Sequence, residues 1–116
     1  MKFSFEELIP FGEGKRQTNY RILLDPNQII EIPGKDKFFL LTPFLFPDYV
    51  LLFPRTEAIF TVEGSILSHL AILCREYKIP VFKIKNILDK IPHKGKMFVD
   101  YSAKMAAVPH LAAKQK

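Results

Sequence analysis

The chain has 116 residues, 48% of them hydrophobic and 25% charged, with a formal net charge of +5. These values are typical of a single folded domain, and they exclude both a wholly disordered chain and several independent domains. The lysines are scattered without a long basic run, so we do not expect nucleic acid as a partner. Because Cys74 is the only cysteine, no internal disulfide can form, and we expect a reducing, cytoplasmic setting.

The first predicted elements alternate short apolar runs with turn-forming residues. Residues 1–13 lack the charged-then-apolar layout of a signal peptide and are interpreted as a lead-in. Strands are predicted at residues 20–26 (YRILLDP) and, short and β-branched, at residues 28–33 (QIIEIP). Residues 37–44 (KFFLLTPF) predict a buried strand, because their apolar run is nearly unbroken.

Apolar residues continue beyond this strand and raise the question of a membrane span. In residues 46–54 (FPDYVLLFP), Pro47 and Asp48 are expected to start a short helical turn. Together with Pro43, they break the apolar stretch well short of the roughly 20 continuous apolar residues that a spanning helix needs. We therefore predict a buried core here and no membrane partner.

The spacing of the apolar residues changes after residue 64 and predicts an α-helix. It follows a strand at residues 58–64 (AIFTVEG) and covers residues 66–77 (ILSHLAILCREY), which contain no proline or glycine. Ser68 stands where an N-cap residue would lie, and Arg75 falls in the last turn, where a positive charge suits the helix dipole.

The remaining chain predicts two more strands, at residues 79–84 (IPVFKI) and 96–102 (KMFVDYS), separated by a short helix or turn at residues 86–91. The tail, residues 109–116, is expected to fray. Several strands around one helix predict a compact α/β domain that spans residues 1–116.

The turn before the helix suits a bound phosphate. A strand ends at Thr61, Gly64 and Ser65 follow in the turn, and the pair Ser68-His69 opens the helix. Helix N-termini favour anions, and small residues let an anion approach the backbone closely. A neutral imidazole there can attack an electrophilic phosphorus and hold the group as a phosphoramidate. A lone histidine at this position also fits a cap, a surface residue or a packed core residue, and local features alone leave these alternatives open.

The same residues resemble a known pattern, T-x-x-G-G-x-x-S-H-x-A-I-x-A-R-E-x-G-I-P. It is typical of the mobile phosphohistidine domain of the PEP-utilising enzymes, such as pyruvate phosphate dikinase, phosphoenolpyruvate synthase, enzyme I of the sugar phosphotransferase system and rifampicin phosphotransferase. The residues in register with it are Thr61, Gly64, Ser68, His69, Ala71, Ile72, Arg75, Glu76, Ile79 and Pro80. Residues 42–54 are similar to the family's TPxxxPDWxPLFP segment, and residues 95–100 to its dGdxVxVDgxxG ending, so the resemblance covers nearly the whole chain.

The resemblance implies a swivelling β/β/α fold and a carrier mechanism. His69 would be the catalytic phosphoryl acceptor, whereas Arg75 and Glu76 would be structural or docking residues. The residues that would position the phosphate are Ser68, Ser65, Gly64 and Thr61. The partner would be an ATP-binding and/or PEP/pyruvate-binding domain or protein, and it would hold Mg²⁺ with ATP or phosphoenolpyruvate, since no cofactor is expected on this domain. His93 and His110 lack the spacing of a zinc site, so no metal is predicted.

Departures from the pattern leave a second function open. Ser65 replaces the second glycine of the motif, and Lys78 replaces the glycine before the Ile-Pro pair. The glycine that often follows the next strand is absent, with Lys83, Ile84 and Lys85 there instead. No P-loop pattern occurs, and the chain is too short for an ATP-binding domain or a pyruvate-binding barrel. If active, it is therefore part of a phosphotransferase of the pyruvate, water dikinase type, a transferase or kinase. The alternative is a non-catalytic binding or regulatory module that keeps the fold without carrying phosphate.

Overall fold

Residues 1–109 are the part of the chain that the computed structural model describes, and they form seven strands, one α-helix and two 3-10 helices. The strands are β1 (Lys2–Ile9), β2 (Lys15–Ile22), β3 (Phe38–Thr42), β4 (Thr56–Thr61), β5 (Val81–Ile84), β6 (Lys94–Asp100) and β7 (Met105–Ala107). The 3-10 helices span Pro26–Glu31 and Pro47–Arg55, and α1 spans His69–Glu76. The predicted fraying tail lies outside the described residues except for Pro109.

The strands close into a barrel in the order β1-β5-β4-β3-β2-β6-β7. Strands β2, β3, β4 and β5 pair in parallel, and every other pairing is antiparallel. The carboxyl ends of the four parallel strands therefore lie at one end of the barrel, and their amino ends lie at the other. Helix α1 connects β4 to β5, so it starts at the first end and runs back to the second.

The predicted fold class, an α/β swivelling β/β/α domain, is wrong. The structure is a closed mixed barrel made mostly of strands, and α1 has 8 residues. Closure depends on β7 pairing with both β1 and β6, which are far apart in sequence. Periodicity identifies single strands but contains nothing about such long-range pairing, so it does not distinguish a closed barrel from an open layered sheet.

Strand β2 begins five residues before the strand predicted at residues 20–26, and two further segments differ from the predicted elements. Residues 2–9, for which no strand is predicted, form β1 by alternating buried Phe3 and Phe5 with exposed polar residues. Residues 28–33 are predicted as a strand, yet they lie largely in the first 3-10 helix. The Asp25 carboxylate caps that helix by accepting from the Asn27 N–H at 2.8 Å, and the following proline fixes a helical φ.

Strand β3 confirms the prediction of a buried strand, because all five of its residues are buried. Inside the barrel, the Phe60 ring contacts the rings of Phe39, at 5.8 Å between centroids, and Phe82, at 5.1 Å. On the outer face of the same strands, Ile59 packs in a second buried cluster with Leu70 of α1. Burial on both faces explains the unbroken apolar run.

The second 3-10 helix agrees with the helical turn predicted at Pro47, and it covers the outer face of the sheet beside α1. None of the helices in residues 1–109 is long and apolar enough to cross a membrane.

Candidate functional site

The loops at the carboxyl ends of β3 and β4 are fastened to each other. Thr42 and Thr61 are partners in the register of the two strands, and both are fully buried. The Val62 N–H donates to the Thr42 carbonyl at 3.1 Å, and the Glu63 N–H donates to the Pro43 carbonyl at 2.9 Å. The turn after β4 is therefore held in place by the neighbouring loop.

The buried threonine hydroxyls serve this scaffold. Thr61 Oγ1 donates to the Glu63 carbonyl at 2.6 Å, and Thr42 Oγ1 donates to the Phe44 carbonyl at 3.1 Å. The hydroxyls of Thr42 and Tyr49 also lie 2.9 Å apart. Thr61, which the resemblance assigns to phosphate positioning, thus acts on the shape of the turn from beneath it.

Gly64 and Ser65 follow in the exposed part of the turn. A Cβ on Gly64 would lie 2.9 Å from Leu45 Cδ1 and 3.0 Å from Thr61 Cγ2, so the glycine allows a close approach of the two loops. The non-glycine residues with positive φ in the described chain are Lys78 and Lys104, which means that Ser65 carries no left-handed strain. Its replacement of the family glycine is therefore compatible with this backbone. Ser65 Oγ accepts from the Leu67 N–H at 3.0 Å.

Helix α1 begins at the predicted place. Ser68 is its N-cap, with extended φ and ψ of −66° and 154°, and its Oγ accepts from the Ala71 N–H at 3.1 Å. The Ser68 N–H donates to the Ser65 carbonyl at 3.0 Å, which joins the cap to the preceding turn. The prediction of Ser68 as the N-cap is confirmed, and it makes His69 the first residue of the helix.

His69 is exposed, and its side chain has no hydrogen bond or ion pair with any residue in the range 1–109. The next two residues, Leu70 and Ala71, are fully or almost fully buried and fix the helix against the barrel. The backbone of His69 is therefore fixed by its packed neighbours, whereas its imidazole is accessible to another molecule. A packed core histidine, one of the alternatives left open by the sequence, is not what the structure contains.

Arg75 and Glu76 lie apart from this turn. They end α1, and six residues of helical rise place Arg75 about 9 Å along the axis from His69. Both side chains are exposed. They do not lie at the turn that contains Gly64 and Ser65, and a structural or docking role for them stays a prediction.

Lys83 is a neighbour of the site that the sequence analysis considered only as a missing glycine. The register of β4 and β5 pairs Thr61 with Lys83. Two residues earlier, the paired Ile59 and Val81 both belong to the cluster beneath α1. Side chains alternate along a strand, so the exposed Lys83 lies on the face that carries α1, at the end where α1 begins. Lys83 follows the buried Val81 by two residues, and this spacing could have indicated from the sequence that the two side chains share a face of the strand.

The remaining candidate groups show no reactive or metal-binding arrangement among residues 1–109. No group of three His, Cys, Asp or Glu side chains there could hold a metal ion. His93 is exposed, and the prediction for His110 lies outside the described residues. Cys74 is fully buried, and burial raises the pKa of its thiol to about 12, so it is not an activated nucleophile.

The candidate site is thus an exposed histidine at the capped start of a helix on the outer face of a closed barrel. A family model described as "PEP-utilising enzyme, mobile domain" matches residues 34–104, which is more than half of the chain. The chain belongs to this family, and the resemblance stated from the sequence is confirmed. Family membership implies a phosphoryl-carrying domain that works with other domains of PEP-utilising enzymes. No curated protein matches the chain.

Three solved structures share the fold. A UPF0107 protein determined by solution NMR has a TM-score of 0.62 at 14% identity, covering 95% of this chain and 100% of that chain. The holo form of aconitase X from Thermococcus kodakaraensis has a TM-score of 0.62 at 13% identity, covering 95% of this chain and 99% of that chain. MccF in complex with glutamyl sulfamoyl guanosine has a TM-score of 0.55 at 13% identity, covering 93% of this chain and 41% of that chain. At these identities the likeness shows the fold alone.

Proposed function

We propose that this chain is a phosphoryl carrier in which His69 is transiently phosphorylated. The observation that supports the proposal is the state of His69, which is exposed and unpaired among the described residues although it opens a helix anchored by buried neighbours. A histidine kept for packing or for capping would have its ring nitrogens occupied or its ring covered. Here Ser68 performs the capping, so the imidazole has no structural task.

The chemistry of the proposal is a pair of displacements at phosphorus. A neutral ring nitrogen of His69 attacks the terminal phosphorus of the donor, a P–N bond forms, and the donor's P–O bond breaks with its electron pair leaving on oxygen. In the second displacement an acceptor oxygen attacks the same phosphorus, and the P–N bond electrons return to the imidazole. ATP or phosphoenolpyruvate, with Mg²⁺, would be held by the partner.

Groups beside His69 are suited to the charge of the bound phosphoryl group. The Ala71 N–H is used by the Ser68 cap and the Ile72 N–H bonds to the Ser68 carbonyl, which leaves the N–H groups of His69 and Leu70 as the open end of the helix. Lys83, which pairs in register with Thr61 on one side and with Glu6 on the other, adds a positive side chain on the face of the sheet that carries α1. We propose that Lys83 reduces the charge repulsion between donor and carrier during transfer.

An apolar surface surrounds the histidine and is suited to contact with a partner domain. It consists of Phe44, Ile66, Leu67 and Ile72, whose exposed fractions are 47%, 48%, 81% and 48%. Ile66 and Leu67 precede His69 in the turn, and Ile72 lies one helical turn after it. We propose that this surface docks on an ATP-binding and/or PEP/pyruvate-binding domain or protein. The lone cysteine supports a reducing, cytoplasmic setting for the transfer.

Intact-mass spectrometry at neutral to alkaline pH tests the proposal. The protein is co-expressed with its neighbouring genes, in parallel with the variant His69→Ala. The matched control is His93→Ala, which removes another exposed histidine. We expect an acid-labile mass gain of one phosphoryl group in the wild type and in His93→Ala but not in His69→Ala. Lys83→Ala should slow the gain without abolishing it. A folded protein that binds its partner but is never modified would instead support the non-catalytic module.

A further inference from the structure

A cleft lies at the end of the barrel opposite His69. Its volume is about 530 Å³, within the range of small-molecule sites. Arg16 and Glu57 contribute from the amino ends of β2 and β4, and Pro80 lies just before β5. Lys78 lies just beyond the last residue of α1, so the helix separates this cleft from the His69 site.

Tyr101 lines the cleft and carries an unusual buried group. The residue is 6% exposed, and its hydroxyl is buried with no hydrogen-bond partner among the residues that the structure describes. The other buried hydroxyls in residues 1–109 all donate to backbone carbonyls, and they belong to Thr42, Thr56, Thr61, Tyr20 and Tyr49. A buried hydroxyl without a partner is costly and rare, and it indicates a missing partner.

The loop after β1 is shaped around this tyrosine. A Cβ on Gly12 would lie 2.5 Å from Tyr101 Cδ1, so only glycine lets the loop lie against the ring. Gly14 has a φ of 70°, and its carbonyl accepts from the Tyr101 N–H at 2.9 Å. The position of the unpaired hydroxyl is therefore fixed by the backbone on one side and by the barrel on the other.

An ion pair stands beside the hydroxyl. Arg16 Nη2 lies 3.2 Å from Glu57 Oε1, with the two side chains 54% and 20% exposed. Burial, and to a smaller extent the Glu57 carboxylate, raise the pKa of Tyr101 and the Arg16 guanidinium lowers it, with a net value of about 12, so both charges act on the phenol. The cleft thus contains three kinds of hydrogen-bonding group. Arg16 has N–H groups left to donate, Glu57 accepts, and the Tyr101 hydroxyl can donate or accept.

The outer part of the cleft is aromatic, and its charged side chains are two lysines and the carboxylate of Glu13. Phe11 is 38% exposed and Tyr77 is 64% exposed, and the Tyr77 ring contacts Phe53 at 5.6 Å between centroids. Exposed Lys37 and Lys78 also line the cleft. Flat rings stack on such aromatic side chains, and the lysines favour an anionic substituent.

We propose that this cleft binds a nucleoside monophosphate or a ligand of the same kind, a flat nitrogen heterocycle that carries an anionic group. The heterocycle lies between Phe11 and Tyr77, and its polar edge meets the Tyr101 hydroxyl with the Arg16–Glu57 pair. The anionic group lies towards Lys78. The proposal is independent of phosphoryl transfer at His69, because the two sites lie at opposite ends of the barrel.

Amide chemical-shift titration of the whole chain with AMP, adenosine and inorganic phosphate tests the composite nature of the ligand. We expect AMP to bind at least ten-fold more tightly than either part, about 1.4 kcal/mol, with shifts at residues 11–16, 56–57, 77–80 and 101. No shift at millimolar AMP, equal affinity for inorganic phosphate, or shifts confined to the residues around His69 would overturn the proposal.

Variants separate a ligand site from a merely hydrated hydroxyl. Tyr101→Phe keeps the ring and should weaken AMP binding about ten-fold, the effect of one lost hydrogen bond. Arg16→Gln, at an exposed position, should weaken it as well. The matched control is Tyr49→Phe, which removes a buried hydroxyl outside the cleft and should leave binding unchanged. If AMP binds equally to wild type, Tyr101→Phe and Arg16→Gln, the hydroxyl holds water only and the inference fails.

Discussion

The two ends of the barrel differ in whether every buried hydroxyl has a hydrogen-bond partner. At the His69 end, Thr42 and Thr61 donate to backbone carbonyls and Ser68 caps α1, so the buried hydroxyls there all have partners while the exposed imidazole of His69 has none in residues 1–109. At the Tyr101 end, a buried hydroxyl has no partner among residues 1–109 and the neighbouring ion pair lies in an open cleft. A complete scaffold is suited to presenting one reactive group, whereas an incomplete one is suited to receiving a ligand.

Substitutions at Gly12 and Gly64, one at each end of the barrel, are expected to have the largest and most different effects on stability. Gly12→Ala should lower the free energy of unfolding by about 3 kcal/mol, because the new methyl meets a buried ring that has no room to move. Gly64→Ala should cost only about 1 kcal/mol, because the side chain of Leu45, nearest to the new methyl, is partly exposed and can move.

Denaturant unfolding at constant m-value measures both changes. Gly34→Ala gives a separate reference, since Gly34 has nothing within 4 Å of a Cβ and its φ of 82° makes the loss one of backbone strain, which Gly12 and Gly64 do not carry. Equal decreases in the free energy of unfolding for Gly12→Ala and Gly64→Ala would mean that the two loops accommodate a new methyl group equally well. The proposed difference between the two ends would then be wrong.

Two buried tyrosines sharpen the comparison, because the same deletion should have opposite signs. The Tyr49 hydroxyl lies 2.9 Å from Thr42 Oγ1 and donates to the Leu23 carbonyl at 3.3 Å, so Tyr49→Phe should destabilise by about 1.5 kcal/mol. Tyr101→Phe removes a group with no partner in the described chain and should stabilise the free protein by about 1 kcal/mol. Urea midpoints of the two variants give the signs directly, and a Tyr101→Phe protein less stable than wild type would show that its hydroxyl is satisfied.

The extent of sequence prediction also differs between the two ends. The start of α1 and the buried β3 could be predicted because a cap and an apolar run each lie within a few residues, and the family could be recognised from a continuous motif at residues 61–80. Barrel closure depends on the pairing of β7 with β1 and β6. The cleft brings together Gly12, Arg16, Glu57 and Tyr101, which share no spacing pattern in the sequence. Lys83 is intermediate, since only the strand register places it beside Thr61.

The start of α1 gives the next prediction. Ser68→Ala removes the hydroxyl that accepts from the Ala71 N–H and should cost about 1 kcal/mol, the usual value of an N-cap. Ser102→Ala is the matched control, because Ser102 is exposed and caps no helix. Thermal unfolding of the pair measures the difference. A loss no larger than that of the control would mean that the packing of Leu70 and Ala71, rather than the cap, fixes the position of His69.

The end of α1 gives the smallest effect, and its sign is the informative part. Lys78 has a φ of 58° just after the helix, a position where glycine avoids the steric cost of a side chain in the left-handed region. Lys78→Gly should therefore stabilise the protein by about 0.5 kcal/mol, since relief of that cost slightly exceeds the extra chain entropy of glycine. Lys104→Gly, at a φ of 56°, should behave alike, whereas Lys96→Gly within β6 should destabilise. If Lys78→Gly destabilises while Lys104→Gly stabilises, the Lys78 side chain makes a favourable interaction at the cleft that outweighs its backbone strain.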